Sequence, residues 1–141
     1  MSVRQQIIDK LDTNFNLISI AENYSFDIDG HVYEWRDLPL KDEELPAIIY
    51  RDVFDNISDV DEQEHELTVE VALFAVGTAS PAAVRSMIAD ILTNFKLIIH
   101  EDFVTGARHI NNEMEVEHLK KRYAAAVLTF TVTFYTEIWG T

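Results

Sequence analysis

The closing stretch YAAAVLTFTVTFYTEIWGT, from Tyr123 to Thr141, constrains the fold more than any other part of the chain. Its even positions read Ala124, Ala126, Leu128, Phe130, Val132 and Phe134, and its odd positions read Val127, Thr129, Thr131, Thr133 and Tyr135. A period of two, rich in Val, Thr and Phe, specifies a strand with one apolar face and one polar but nearly uncharged face. Drawn straight from Ala124 to Trp139, such a strand spans roughly 50 Å at about 3.3 Å per residue. A compact chain of 141 residues has a diameter of only about 35–40 Å. The strand therefore bends or reaches past its own domain, and in the second case something must cover it. The Thr face carries too little charge for free surface, which makes Thr129, Thr131, Thr133 and Tyr135 the candidate subunit interface.

A chain of 141 residues is expected to form one domain, 1–141, burying roughly 68–70% of its unfolded surface. Cysteine is absent, which removes disulfides, thiolate metal sites and cysteine nucleophiles and suits a reducing compartment. MSVRQQIIDKL lacks the apolar core of a signal peptide, and no apolar run reaches the roughly 18 residues of a membrane span. A soluble intracellular protein is the expectation. The 25 acidic and 11 basic residues give a net charge of −14, a surface that repels duplex DNA.

Val3, Ile7, Ile8, Leu11 and Phe15 recur at helical spacing behind Ser2, a capping residue. In YSFDIDGHVYEW, Asp29-Gly30 predicts a type I′ hairpin turn, with Tyr24, Phe26 and Ile28 on one face of the first arm. Pro39 and Pro46 bracket an acidic connector, and AIIYRDVF follows as a strand. DNISDVDEQE, Asp55 to Glu64, reads as an acidic loop. HELTVEVALFAVG alternates, with Leu67, Val69, Val71 and Leu73 inward and Glu66, Thr68 and Glu70 outward. Ser80-Pro81 opens a second helix striped by Val84, Met87, Ile88, Ile91, Leu92 and Phe95. RHINNEMEVEH is a further alternating strand. The sum is an α+β fold, a mainly antiparallel sheet with two amphipathic helices on one face. The other face is left to solvent or to a partner.

Chemistry leaves little trace. The four glycines are scattered, so no phosphate-cradling loop can be built. The histidines show no standard ligand spacing. His65 and His118 could meet only if their strands pair, and otherwise read as exposed strand residues. Counting from Asp55 or Asp59 puts Val60 or Glu64 where a calcium loop needs glycine. Lys120, Lys121 and Arg122 read as balancing Glu115 and Glu117, and no nucleophile elbow is present. No catalytic residue, cofactor or metal is assigned, and a non-enzyme is the expectation.

The order of elements, with VRQQIIDKL, WRDLP, LPAIIY, HELTVEVALF, AAVRSMIADIL and AVLTFTVTFYT, resembles the tail terminator (tail completion or minor tail) proteins of long-tailed phages and prophages. The likeness covers nearly the whole chain and offers no catalytic residues to carry over. It implies a homohexameric ring that caps the tail tube, ends its polymerisation and presents a surface to the head connector protein. DNA would pass through the ring without specific binding, and the protein would reside in the bacterial host cytoplasm during assembly and then in the virion tail. The acidic loop, through Asp59, Asp61, Glu62 and Glu64, is the candidate contact for tail tube protein or connector. A head–tail joining protein shares the layout, and a stand-alone acidic adaptor or inhibitor is the rival of another class. An enzyme whose site is completed between subunits is a third.

Overall fold

The computed structural model describes residues 2–59, 62–76, 81–118 and 122–141. Along the chain run α1 (Val3–Phe15), β1 (Val32–Glu34), β2 (Ala47–Asp59), β3 (Glu62–Val76), α2 (Pro81–Phe95), β4 (Gly106–His118) and β5 (Arg122–Glu137). The strands form one sheet in the order β1-β2-β3-β5-β4. Among the described residues only the β1–β2 pair is parallel. This is the α+β architecture expected, with the helices on one face.

The helical stripes become the core. Ile7, Ile8, Leu11 and Phe15 of α1 and Val84, Met87, Ile88, Ile91 and Phe95 of α2 are buried, and Leu92 packs at their margin. Ser2 Oγ accepts the Gln5 N–H at 3.1 Å, satisfying one of the orphan donors at the start of α1. Ser80, the expected cap of α2, lies outside the described residues, as do Lys120, Lys121 and Asp61. Leu67, Val69, Val71 and Leu73 face the helices with Val132, Phe130, Leu128 and Ala126 opposite them, and Phe134 continues the same face opposite His65. Phe15 meets Tyr50 and Phe95, and Phe95 stacks on Phe130 at 3.8 Å between ring centroids.

The long terminal strand is matched within its own chain. All of β5 from Tyr123 to Glu137 pairs with β3, and Arg122 to Thr133 pairs with β4. Its hydrogen-bonding edges are thus filled by partners of similar length, and the question of cover narrows to its outer face. The two long strands on either side of the β3–β5 pair, β2 and β4, each carry one extra residue, Val53 between Asp52 and Phe54 and Ile110 between His109 and Asn111.

Three expectations are corrected. Asp29-Gly30 does not close a hairpin. Only Gly30 has positive φ, +79°, and His31 N–H donates to Ile28 O at 2.8 Å, the pattern of a type II turn. Ile28 N–H and Asp29 N–H both donate to Ile18 O, so Tyr24 to Ile28 is tied to the end of α1 instead of forming a strand arm. The acidic segment is not a loop. Asp55 to Asp59 extend β2 and Glu62 to Glu64 open β3, with Asn56 opposite Glu66, Ser58 opposite Glu64 and Asp59 opposite Gln63. His65 is not exposed but fully buried. Nor do His65 and His118 approach each other, because β5 lies between their strands and their partners on it, Phe134 and Arg122, are about 40 Å apart along the strand.

Candidate functional site

Among the described residues no helix lies on the outer face of the sheet. Across its centre run Arg51–Glu70–Thr129–Asn111, then Phe54–Thr68–Thr131–Arg108, then Asn56–Glu66–Thr133–Gly106, then Ser58–Glu64–Tyr135. Arg51 reaches Glu70 at 3.7 Å, and Arg108 crosses β5 to reach Glu66 at 3.5 Å. Both pairs are solvated, so each contributes less than about 1 kcal/mol. They frame an uncharged strip of threonines. Thr129 and Thr133 are half-buried, whereas Thr131 is only 5% exposed and its Oγ1 finds no partner among the described residues. Thr133 Oγ1 donates to Gly106 O at 3.1 Å; a Cβ at position 106 would stand 3.1 Å from that hydroxyl, so the glycine keeps room for it. Phe54, 60% exposed, flanks the strip.

The two sets of residues singled out from the sequence meet at one end of this face. Tyr135 Oη donates to Glu64 Oε2 at 2.6 Å, and the Glu64 carboxylate beside it holds the phenol above its usual range. Glu62 stands directly opposite Glu137, a like-charge cross-strand pair that is unfavourable in isolation. Asp59 pairs with Gln63 through the backbone, and Asp61 lies outside the described residues. This end of the sheet is therefore a negatively charged rim.

Beneath it, on the helix face, lies a polar network that the sequence reading missed. The Asp55 carboxylate can only accept, so the 2.8 Å contact to Oδ2 fixes a proton on His65 Nδ1, while Nε2 meets Thr136 Oγ1 at 2.8 Å. The His65 ring stacks on Phe134 at 4.5 Å. Arg4 of α1 bridges Asp52 at 2.8 Å and approaches Asp55 at 3.8 Å, and Trp35 Nε1 donates to Asp52 Oδ1 at 2.8 Å. Burial pushes the Asp52 carboxyl up, but the hydrogen bonds from Trp35 and Arg4 outweigh it and leave Asp52 below its usual range. Thr136, His65 and Asp55 stand in the order of nucleophile, base and orienting acid. The Thr136 hydroxyl, however, donates to Glu137 O at 3.0 Å, and Gly140 packs so closely that a Cβ there would lie 2.9 Å from Thr136 Cβ. With the hydroxyl engaged and roofed, the trio links β2, β3 and β5 as a structural clamp.

The WRDLP phrase also acquires a physical role. The Arg36 guanidinium grips Glu44 at 2.6 and 3.0 Å, caps Leu38 O and Pro39 O, and lies over the Tyr33 ring. Hydrogen bonds from Arg36 and from Lys41 N–H hold the Glu44 carboxyl down at about 2. The connector so braced leaves a cleft of about 440 Å³ against Ile49, Phe74 and Tyr123, roofed by Leu38 and Leu45.

Among the described residues no group of three or more His, Cys, Asp or Glu is placed to hold a metal ion, and no helix is long and apolar enough to cross a membrane. Comparison with protein-family models finds no match, and comparison with curated proteins finds none either.

Proposed function

We propose that this chain is a structural phage or prophage tail protein, a ring-forming terminator that caps the tail tube, ends its polymerisation and offers a surface to the head connector. The observation that carries the reading is the bare outer sheet face, whose centre is a strip of uncharged, half-buried threonines and not a solvated charged surface. A second copy is the simplest cover for such a strip. Repeated head to tail through a closing rotation, that contact generates a ring. In the proposed interface Tyr135 is exposed, Thr129 and Thr133 are half-buried, and Thr131 is buried between them.

Acidity supports the same reading. Six copies at −14 each carry −84, so a central channel repels DNA and lets it slide through without specific binding. Charges farther apart than about 8 Å are screened at physiological ionic strength, which makes the repulsion between copies tolerable. The acidic rim of Glu62 and Glu64 is the proposed contact for tail tube protein or connector, together with Asp59 and Asp61 of the same acidic segment of the sequence. Assembly in the bacterial host cytoplasm and residence in the virion tail follow from the role. An acidic adaptor would need a broad charged face, which the threonine strip interrupts.

The test is tube length by electron microscopy as the matching tube protein polymerises with and without this chain. Terminator function gives a narrow length distribution with extra density at one end. Replacing Asp59, Asp61, Glu62 and Glu64 by neutral residues should keep the fold and weaken capping. Unregulated lengths with bare tube ends, from folded wild-type protein, would reject capping and favour a head–tail joining role.

A further inference from the structure

The C-terminal turn presents an indole to solvent by construction. Trp139 is 92% exposed and Ile138 48%. The turn that carries them is nevertheless held. Gly140 N–H donates to Glu137 O at 2.8 Å, Trp139 N–H donates to Gln63 Oε1 at 3.2 Å, and Thr141 O accepts the Val3 N–H at 2.7 Å. Trp139 itself adopts φ +68°, a left-handed conformation that a bulky side chain rarely takes without a reason. A Cβ at position 140 would lie 3.0 Å from Glu137 O, so glycine is required for the turn to close. The backbone that carries the indole is thus held, and the ring itself stands in solvent.

A matching hollow exists on the opposite flank. Between the end of α2, the 3₁₀ segment Lys96–His100 and the start of β4 lies a groove of about 470 Å³. Leu92, Phe95, Ile99 and Phe130 form its apolar lining, with Lys96 and His109 at its lips. An enclosed cavity of about 150 Å³ holds a benzene ring, so this groove accommodates an indole. Lys96 is exposed and enters none of the ion pairs seen among the described residues. Glu137, two residues before Trp139, is the acid that would meet it.

Placement decides the partner. Trp139 is bonded to Gln63, whose partner on β5 is Thr136, whereas the groove is bounded by Phe130 and by His109 opposite it, so the turn and the groove are offset by about 20 Å along the strand. The turn is tied to the start of α1, which reaches Asp52 of β2, whereas the groove borders β4 at the other flank. We infer that Trp139 of one copy seats in the Leu92–Phe130 groove of the next, with Glu137 facing Lys96. The offset keeps Trp139 from the groove of its own chain, and a knob and a hole at two different places on the surface make a heterologous contact, which propagates head to tail. This deepens the ring reading and rests on it for the head-to-tail arrangement, but not on tube or connector.

The experiment is sedimentation equilibrium of wild type and two variants whose circular dichroism matches wild type. Trp139→Ala removes the knob and Ile99→Asp sets a charge in the hole. Loss of a buried tryptophan anchor weakens self-association by about 30-fold or more. Each variant keeps one good surface, so mixing the two should give a heterodimer that grows no further. In a Trp35→Phe background, the emission of Trp139 should shift to the blue as wild-type protein assembles. Trp139→Ala assembling as tightly as wild type would overturn the contact while leaving the ring reading intact. A wild type that stays monomeric at high micromolar concentration also overturns it, and tube capping is then judged by tube lengths alone. If the mixed variants stay monomeric while wild type assembles, the contact is not knob in hole.

Discussion

The clamp formed by Asp55, His65 and Thr136 gives the sharpest quantitative test of the fold. In His65→Leu the apolar volume is largely kept, so the loss is chiefly electrostatic. A hydrogen bond to a charged group contributes about 1.5–3 kcal/mol. The stacked contact with Phe134, 4.5 Å away, adds about 0.5–1.5 kcal/mol. The Asp55 carboxylate is then left with Arg4 at 3.8 Å, its Oδ1 already without a partner among the described residues. A destabilisation of about 3 kcal/mol follows, or a fall of roughly 9 °C in Tm at about 3 °C per kcal/mol for a domain of this size. Asp55→Ala strands Nδ1–H of a fully buried ring and should cost about 2 kcal/mol. Once either partner is gone the other has little left to lose, so the double variant should fall short of the sum by about 1.5–2 kcal/mol. Urea unfolding of the four proteins measures this coupling. Additivity within about 0.5 kcal/mol would refute the clamp.

Phe130→Ala and Phe134→Ala should each cost about 3–5 kcal/mol. Phe134, enclosed on all sides, should cost the more, because Phe130 floors an open groove that water can fill; the reverse order in chemical denaturation contradicts that placement. Glu44 carries a depressed pKa, so its contribution to stability is complete above its ordinary value near 4.5 and is lost as the pH falls through about 2. A carboxyl titration by NMR should place the Glu44 midpoint near 2 in wild type and bring it back up in Arg36→Ala. Thr129→Lys, at a half-buried point of the outer face, should leave thermal unfolding of the monomer within about 0.5 kcal/mol while lowering the assembled mass; an unchanged mass removes Thr129 from the interface. Thermal unfolding with and without a chelator should coincide, and a drop of several degrees on chelation would reveal a structural ion.

Both helices and the alternation of β3 and β5 were legible because each buries one face, and periodicity records that burial directly. His65 was legible in principle, since it shares the phase of Leu67, Val69, Val71 and Leu73. Its polar label hid it, because burial of an imidazole depends on Asp55 and Thr136, which are distant in sequence. The acidic segment misled for a related reason. Composition suggested a solvated loop, but cross-strand pairing from Asn56–Glu66 to Asp59–Gln63 continues the ladder regardless of charge. Asp29-Gly30 signalled a turn correctly and its type incorrectly, since the competing acceptor was Ile18 O at the end of α1. The groove and the outward Trp139 could not be read at all, because each is assembled from elements that only the sheet order brings together.

The extra residues Val53 and Ile110 carry a consequence for the fate of the chain in a crowded solution. Asp52, Val69, Phe130 and His109 form one row across the sheet, and each flanking strand is interrupted beside that row. The margin of β4 is long and unfilled, and on the other side β1 covers only Ile48 to Tyr50 of β2; such margins are templates on which strands can stack. Here an incoming straight strand falls out of step with the margin at that row, on whichever side it arrives, and the local coiling that bulges impose turns the two halves of the margin away from a common line. Fibre growth by strand addition is therefore arrested after a few residues. Side chains and not backbone hydrogen bonds are left to decide which copies meet, and an assembly with a fixed number of members becomes attainable by a protein that is almost half strand.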